Sequence, residues 1–183
     1  RFLRNEVVLI TGGSSGIGKE LAFEAARRGA IVVVASRNLE KLQEVAKKCL
    51  ILSGRPAFAY QLDVTDPDQI DDVLSKVQHE VGGIDVLINS AGLGDFIPVV
   101  KESYRSMEKM VHTNLLALMY ISRCVAKQMM DQGYGAIINM GSLAGKLPTP
   151  NSAVYSATKA GVIQFDNVLR MEVADYGVQV LTV

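Results

Sequence analysis

Tyr155 and Lys159 are residues that can exchange a proton with an oxygen and tune that exchange. Four positions apart, they share one side of a helix. A free phenol titrates near ~10 and is a poor base at neutral pH. An ammonium beside it favours the phenolate, which can trade a proton with a carbonyl or alcohol oxygen. Ser142, thirteen residues before Tyr155, offers a hydroxyl that can hold the same oxygen. A Tyr-x-x-x-Lys spacing also occurs on ordinary helix surfaces, so its meaning depends on the rest of the chain.

A second group sits near the start. Thr11-Gly12-Gly13-Ser14-Ser15-Gly16-Ile17-Gly18 joins an apolar run to a helical one. Glycines there let the backbone turn tightly and approach phosphates, while the helix N-terminus presents free N–H groups and a positive dipole. The spacing is G-x-x-x-G-x-G rather than G-x-G-x-x-G. The bland alternative is a tight turn with Ser14 or Ser15 as a helix cap. The next apolar run ends at Ala35-Ser36-Arg37-Asn38. An acidic residue at this point would hold ribose hydroxyls and select NAD. Arg37 instead offers a planar cation suited to a 2′-phosphate, unless it is simply a solvated surface arginine.

These groups need a frame. Strand candidates are Val7–Thr11, Ile31–Ala35, Ala57–Leu62, Ile84–Asn89, Ala136–Met140 and Val178–Val183. Their continuous apolar character suits strands buried on both faces. Helical stretches separate them at Ile17–Arg28, Leu39–Leu52, Pro67–Val81, Tyr104–Met130 and Ser152–Tyr176. Asp66-Pro67 reads as a helix start, and Gly29 and Gly82-Gly83 fall where helices end. Strict alternation of strand and helix implies an α/β fold, a doubly wound parallel sheet of Rossmann type with helices on both faces. Ser142 then lies just past the fifth strand, on the edge where such sheets place ligands.

With 183 residues, 49% of them hydrophobic, the chain suits one domain with a sizeable core. Its 19 basic and 19 acidic residues cancel, so no charge footprint points to nucleic acid or an anionic membrane. Cys49 and Cys124 fit no metal or disulfide spacing and read as core thiols. His79 and His112 complete no metal set. No membrane-spanning run and no signal peptide are visible, so the expectation is a soluble, cytoplasmic protein. The final Leu181-Thr182-Val183 lies inside a strand-like run, and the domain, residues 1–183, is expected to be incomplete at its C-terminal end.

Taken together, Thr11–Gly18, Asp63-Val64, Asn89-Ser90-Ala91-Gly92, Asn114, Ser142 and Tyr155-Ser156-Ala157-Thr158-Lys159 resemble the short-chain dehydrogenase/reductase family. The likeness runs through essentially the whole chain, in order, with the family's usual spacing from Ser142 to Tyr155. It implies Tyr155 as catalytic acid/base and Lys159 as its tuning neighbour, which also grips the nicotinamide ribose. It implies Ser142 as the residue orienting the substrate oxygen and Asn114 as holder of a relay water. Asn114 also has an ordinary reading, a buried asparagine tying helix to strand. For the cofactor, the resemblance implies contacts from Gly12, Ser14, Ser15, Gly16, Ile17 and Gly18, from Asp63 and Val64 at adenine, and from Asn89, Ala91 and Gly92 along the ribose and nicotinamide. Arg37 and Ser14 match positions where NADP-preferring members hold the 2′-phosphate. Ser90 departs from the family's more frequent asparagine. The family also continues past the sixth strand with a Pro-Gly turn, a substrate-covering loop and a seventh strand, none of which follows here.

The implied activity is hydride transfer between NADP(H), preferred over NAD(H), and a carbonyl or secondary alcohol. The competing expectation is a dinucleotide-binding regulator or scaffold without catalysis, which would need none of Asn114, Ser142, Tyr155 and Lys159. Leu93, Phe96, Ile97, Leu143, Leu147 and Val154 make the expected substrate small and largely apolar. The helical runs carry more apolar residues than one sheet face needs, among them Met107, Met110, Leu115, Leu118, Met119, Phe165, Val168 and Leu169. Equivalent helices in the family form a homodimer interface, often within a homotetramer.

Overall fold

Short β-branched runs without a polar side become strands that helices cover on both faces. In the computed structural model, which describes residues 3–183, six such runs form one parallel sheet in the order β3-β2-β1-β4-β5-β6. The strands are β1 (Val7–Thr11), β2 (Ile31–Ser36), β3 (Ala57–Gln61), β4 (Val86–Asn89), β5 (Gly135–Asn139) and β6 (Val178–Thr182). Leu9 sits between Val33 and Leu87 across the sheet, and Ile137 continues that row. These side chains enter one core layer, while the alternating Val8, Ile10, Val32, Val34 and Ile88 enter the other.

The helices are α1 (Gly16–Arg27), α2 (Leu39–Ser53), α3 (Pro67–Glu80), α4 (Tyr104–Val111), α5 (Ala117–Gln132) and α6 (Ala153–Val173). Phe23 of α1 and Leu42 and Val45 of α2 close one layer. Val73 of α3, Ile121 and Val125 of α5 and Leu169 of α6 close the other. The expected doubly wound architecture is therefore present. The strand order reverses between β1 and β4, so the chain leaves their carboxyl ends in opposite directions and opens a crevice there.

Some boundaries differ from expectation for visible reasons. Asp66 caps α3 as anticipated, accepting from the amides of Asp68 and Gln69 with Pro67 in the first turn. β4 starts at Val86 rather than Ile84. Gly82 and Gly83 turn the chain at φ 104° and 117°, and the Asp85 carboxylate, a side chain rather than a backbone group, accepts from Val7 N at 2.7 Å. The run expected as one helix over Tyr104–Met130 is interrupted. A π-helical turn at His112–Leu116 separates α4 from α5, and the N–H of Ala117 reaches back five residues to His112. After α6, residues Ala174–Tyr176 tighten into a 3₁₀ turn. Cys49 is a buried thiol, whereas Cys124 is half-buried, not the core residue expected. Burial pushes the Cys49 thiol up to about 11, which leaves it inert at neutral pH. Among the described residues no His/Cys/Asp/Glu group could hold a metal, and no helix is long and apolar enough to cross a membrane.

Candidate active site

The crevice at the strand reversal is a cleft of about 590 Å³. Its floor is the loop from β1 to α1. A Cβ on Gly18 would stand 2.5 Å from the Gly12 carbonyl oxygen, so only glycine lets the first turn of α1 fold against the loop. Thr11 is buried, and its hydroxyl accepts from the amides of Ser90 at 3.2 Å and Ala91 at 3.3 Å. That pair of bonds clamps the β1 loop to the β4 loop. Gly12, Ser15, Gly16, Ile17 and Gly18 line the cleft, but Ser14 does not. Ser15 stands at the N-cap of α1, yet its side chain makes no capping bond. An open helix N-terminus with a free hydroxyl and close-packed glycines is a built anion cradle.

At one end of the cleft, Ser36 and Arg37 leave β2 beside Asp63 and Val64. Asp63 Oδ1 accepts from the amide and hydroxyl of Thr65, at 3.0 and 2.7 Å. Those bonds, with the Arg37 and Lys109 cations nearby, hold its carboxyl below the usual range. Lys109, on α4, is a wall residue that no motif or spacing singles out. It shares the cleft with Asp63 and Val64, and its charge acts on the Asp63 carboxyl.

At the other end stand Tyr155 and Lys159, both wall residues. They project from the first turns of α6, with the Lys159 ammonium 5.8 Å from the centre of the Tyr155 ring. Lys159 is 6% exposed. Its ammonium donates to Met140 O at 2.6 Å, and burial holds its pKa below the ordinary lysine value. Ser142 opens a 3₁₀ turn, and its Oγ accepts from Ala144 N at 3.1 Å. With a lone pair engaged there, the hydroxyl proton stays free to donate. Ser142 itself is not a wall residue, although its neighbours Met140 and Gly141 are. Gly145 closes this turn onto α6, since a Cβ there would meet the Lys159 carbonyl carbon at 2.7 Å.

Asn114 lies behind the cleft in the π-helical turn, buried. Its Oδ1 accepts from Leu93 N at 2.9 Å, and its Nδ2 donates to Leu93 O at 2.7 Å and to Thr158 Oγ1 at 3.3 Å. Thr158 in turn donates to Tyr155 O at 2.7 Å. The side chain thus ties the β4 loop to α6. π turns frequently mark functional positions. Ala91 and Gly92 line the cleft. Asn89 is instead buried under the sheet edge, where its Nδ2 donates to Asn139 Oδ1 at 2.8 Å and Ser122 Oγ at 3.0 Å.

Of the apolar residues expected around the substrate, Leu93 and Phe96 line the cleft. The Phe96 ring lies 5.4 Å from that of Tyr155, tilted by 56°. Leu143 and Leu147 are exposed on the adjoining turn rather than in the wall.

Residues 6–183 match the family model described as short chain dehydrogenase. The ketoacyl reductase HetN of Nostoc sp. is 36% identical over 181 residues, 99% of this chain and 63% of its own length. An uncharacterized oxidoreductase of Staphylococcus aureus is 34% identical over 99% of this chain and 77% of its own. The chain thus spans about two thirds to three quarters of these relatives. Among solved structures, a metagenomic short-chain oxidoreductase in complex with NADP superposes with TM-score 0.94 at 32% identity, covering 100% of this chain and 82% of that one. NAD+-bound xylitol dehydrogenase gives 0.95 at 28%, covering 100% and 70%. With the family model matched over residues 6–183, the chain belongs to the short-chain dehydrogenase family.

Proposed function

We propose that this protein transfers a hydride between NADP(H) and the carbonyl or secondary alcohol of a small, largely apolar substrate, with Tyr155 as acid/base. The observation that carries this reading is that Tyr155 and Lys159 face the same cleft as the glycine loop. A nicotinamide dinucleotide fits the cradle at Gly12–Gly18, the Asp63-Val64 edge and the Ala91-Gly92 wall, and once bound it supplies the hydride.

In carbonyl reduction, Tyr155 gives its phenol proton to the substrate oxygen, and in alcohol oxidation it takes one back. The Lys159 ammonium favours the phenolate left behind. One of its N–H bonds goes to Met140 O, which leaves others for ribose hydroxyls. Ser142 donates its free hydroxyl proton to the same substrate oxygen. Asn114 holds Leu93 and Thr158, and through them the substrate wall and the helix start. It would also carry the relay water that the family resemblance implies. Phe96 beside Tyr155 supports an apolar substrate.

Cofactor choice rests on this chain's own residues, because its solved relatives include both an NADP complex and an NAD+ complex. Arg37 in the cleft wall, with no acidic residue at the end of β2, favours a 2′-phosphate. For assembly, α5 and α6 form an open apolar groove with Met119, Met130 and Phe165 along it. Arg123 and Lys127 flank it on α5, and Glu172 on α6. An apolar groove of this kind can meet its own copy about a two-fold axis, which supports a homodimer, alone or within a homotetramer.

The test is NADPH oxidation followed at 340 nm against a panel of apolar ketones, aldehydes and a ketoacyl substrate, for the parent and for Tyr155→Phe. Turnover by the parent with a loss of ~10²-fold or more in the variant, and NADPH affinity retained in both, is expected. A Tyr155→Phe protein that keeps near-normal turnover would remove the central residue of the mechanism.

A further inference from the structure

Behind the cleft lies a buried polar cluster that the reaction as described does not use. Asn89 of β4, Ser122 of α5, Asn139 of β5 and Asp166 of α6 are each at most 3% exposed. Ser122 Oγ accepts from Asn89 Nδ2 at 3.0 Å and from Asn139 Nδ2 at 3.5 Å, and the other bonds run in one direction. Asn89 Nδ2 donates to Asn139 Oδ1 at 2.8 Å, and Asn139 Nδ2 donates to Asp166 Oδ1 at 2.6 Å. From β6, the Thr182 hydroxyl donates to Asp166 Oδ2 at 2.6 Å. An ionised carboxylate only accepts. It therefore fixes which way the Asn139 amide points, and Asn139 then fixes Asn89. Replaced by an apolar residue, Asp166 would leave the half-buried Thr182 hydroxyl without this acceptor and Asn139 Nδ2 with only Ser122 Oγ at 3.5 Å.

Stability alone is a poor reason for this arrangement. A buried charge carries a desolvation penalty of several kcal/mol, and well-packed apolar residues that replace such a charge together with its partners are often neutral or stabilising. Burial indeed pushes the Asp166 carboxyl up, against the pull of Thr182, Asn139 and the Arg170 guanidinium. What the cluster adds is register. Asp166 follows Lys159 by seven residues, close to two helical turns, so both lie on one face of α6. They bind consecutive residues at the end of β5: Asp166 accepts from Asn139, the last residue of the strand, and Lys159 donates to O of Met140, the residue after it, at 2.6 Å. These two attachments at consecutive chain positions bear on both the rotation and the slide of the helix, and Arg170 Nε, donating to Val180 O at 2.8 Å, ties its later turns to β6.

We propose that Asp166 is a positioning residue for the Tyr155–Lys159 pair: as the acceptor-only end of a buried one-way hydrogen-bond chain, it locks α6 onto β5 and β6 and so holds Lys159 at Met140. This rests on the reading of Tyr155 and Lys159 given above.

The test uses Asp166→Leu and the exchanged pair Asn139→Asp with Asp166→Asn. In the exchange, residue 166 donates to a carboxylate at 139, which also accepts from Asn89, while Thr182 donates to the new amide oxygen. Every donor keeps an acceptor. Asp166→Leu is expected to lose at least ~10-fold in turnover, on the scale that misplacement of a catalytic group produces. The rising limb of its pH profile for alcohol oxidation should move up by about one unit, because a displaced ammonium no longer favours phenolate. Acetic anhydride, read by mass spectrometry, should label Lys159 in Asp166→Leu but not in the parent. The exchanged pair should return to within about 3-fold of parental turnover, well inside one decade, with Lys159 again protected. Asp166→Leu with parental turnover overturns the proposal. So does lower turnover with an unmoved pH profile and a protected Lys159, since that marks a merely structural role. If Asp166→Leu does not fold, the exchanged pair decides, and a folded but inactive exchange overturns the proposal. If the parent turns over no substrate, the proposed function fails instead. The labelling of Lys159 then decides alone: equal protection in parent and Asp166→Leu overturns the positioning role.

Discussion

Lys159 carries a positive charge where water barely reaches it. Burial lowers its pKa in the fold, so the ammonium's contribution to stability is unfavourable. That penalty is absent above the unfolded value of ~10.5 and felt in full once pH falls below the lowered folded value. Lys159→Met is therefore expected to melt higher than the parent at pH 7. The gain should shrink as pH rises toward ~10.5, and turnover should be lost. Calorimetry between pH 7 and 10 checks this, and a variant that melts lower at pH 7 would contradict it. Arg37 makes the complementary case in an exposed place. NADPH should bind at least ~10-fold tighter than NADH, about 1.4 kcal/mol, and Arg37→Asp should reverse much of that by repelling the 2′-phosphate. Fluorescence titration with both cofactors measures it, and equal parental affinities would sink the preference.

Elements reach the site through close approaches more than through their own chemistry. The Ser142 turn presses on α6 only because residue 145 lacks a Cβ, which would otherwise meet the Lys159 carbonyl carbon at 2.7 Å and Ile163 Cδ1 at 2.9 Å. Gly145→Ala should therefore cost about 1–3 kcal/mol, as overpacking does. It should also push Ser142 away from Tyr155, lowering turnover by ~10–100-fold. The glycine loop at β1 lies elsewhere, so NADPH affinity should change little. Denaturant melts and steady-state kinetics on one preparation separate the two effects, and an unchanged kcat would show that the turn tolerates the displacement.

At the scale of the molecule, apolar side chains divide between the core and an open face. Met110, Leu118 and Leu169, which sequence reading grouped with a surplus for assembly, are buried inside the subunit. Leu116 at 49% and Met171 at 80% exposure remain outside, with Leu116 on the groove between α5 and α6. A charge at the groove should prevent pairing without disturbing the core, because Leu116 already faces solvent. Leu116→Glu is expected to run as a monomer in light scattering at micromolar concentration, where the parent runs as at least a dimer. A monomeric parent would contradict the homodimer.

The sequence alone determined the architecture and the chemistry-bearing types, because both are local signals. Continuous β-branched runs of this length suit strands covered on both faces, and their alternation with helices points to a doubly wound sheet. The glycine loop and the Tyr155/Lys159 spacing are each confined to one turn of chain. The tertiary structure decided everything that depends on two distant segments meeting. No spacing in the sequence signals that Thr11 clamps Ser90 and Ala91, or that Lys109 reaches the cleft. The same holds for the direction of Asn89: a one-dimensional reading assigns it to the cofactor, whereas in the fold its amide is committed to Asn139 and Ser122. The π turn around Asn114 has no residue-type signature either, and shows only in the Ala117 N–H that reaches back to His112 O. Hydrogen bonds act over about 3 Å, so which partners meet is settled only when the sheet brings β4, β5 and β6 side by side.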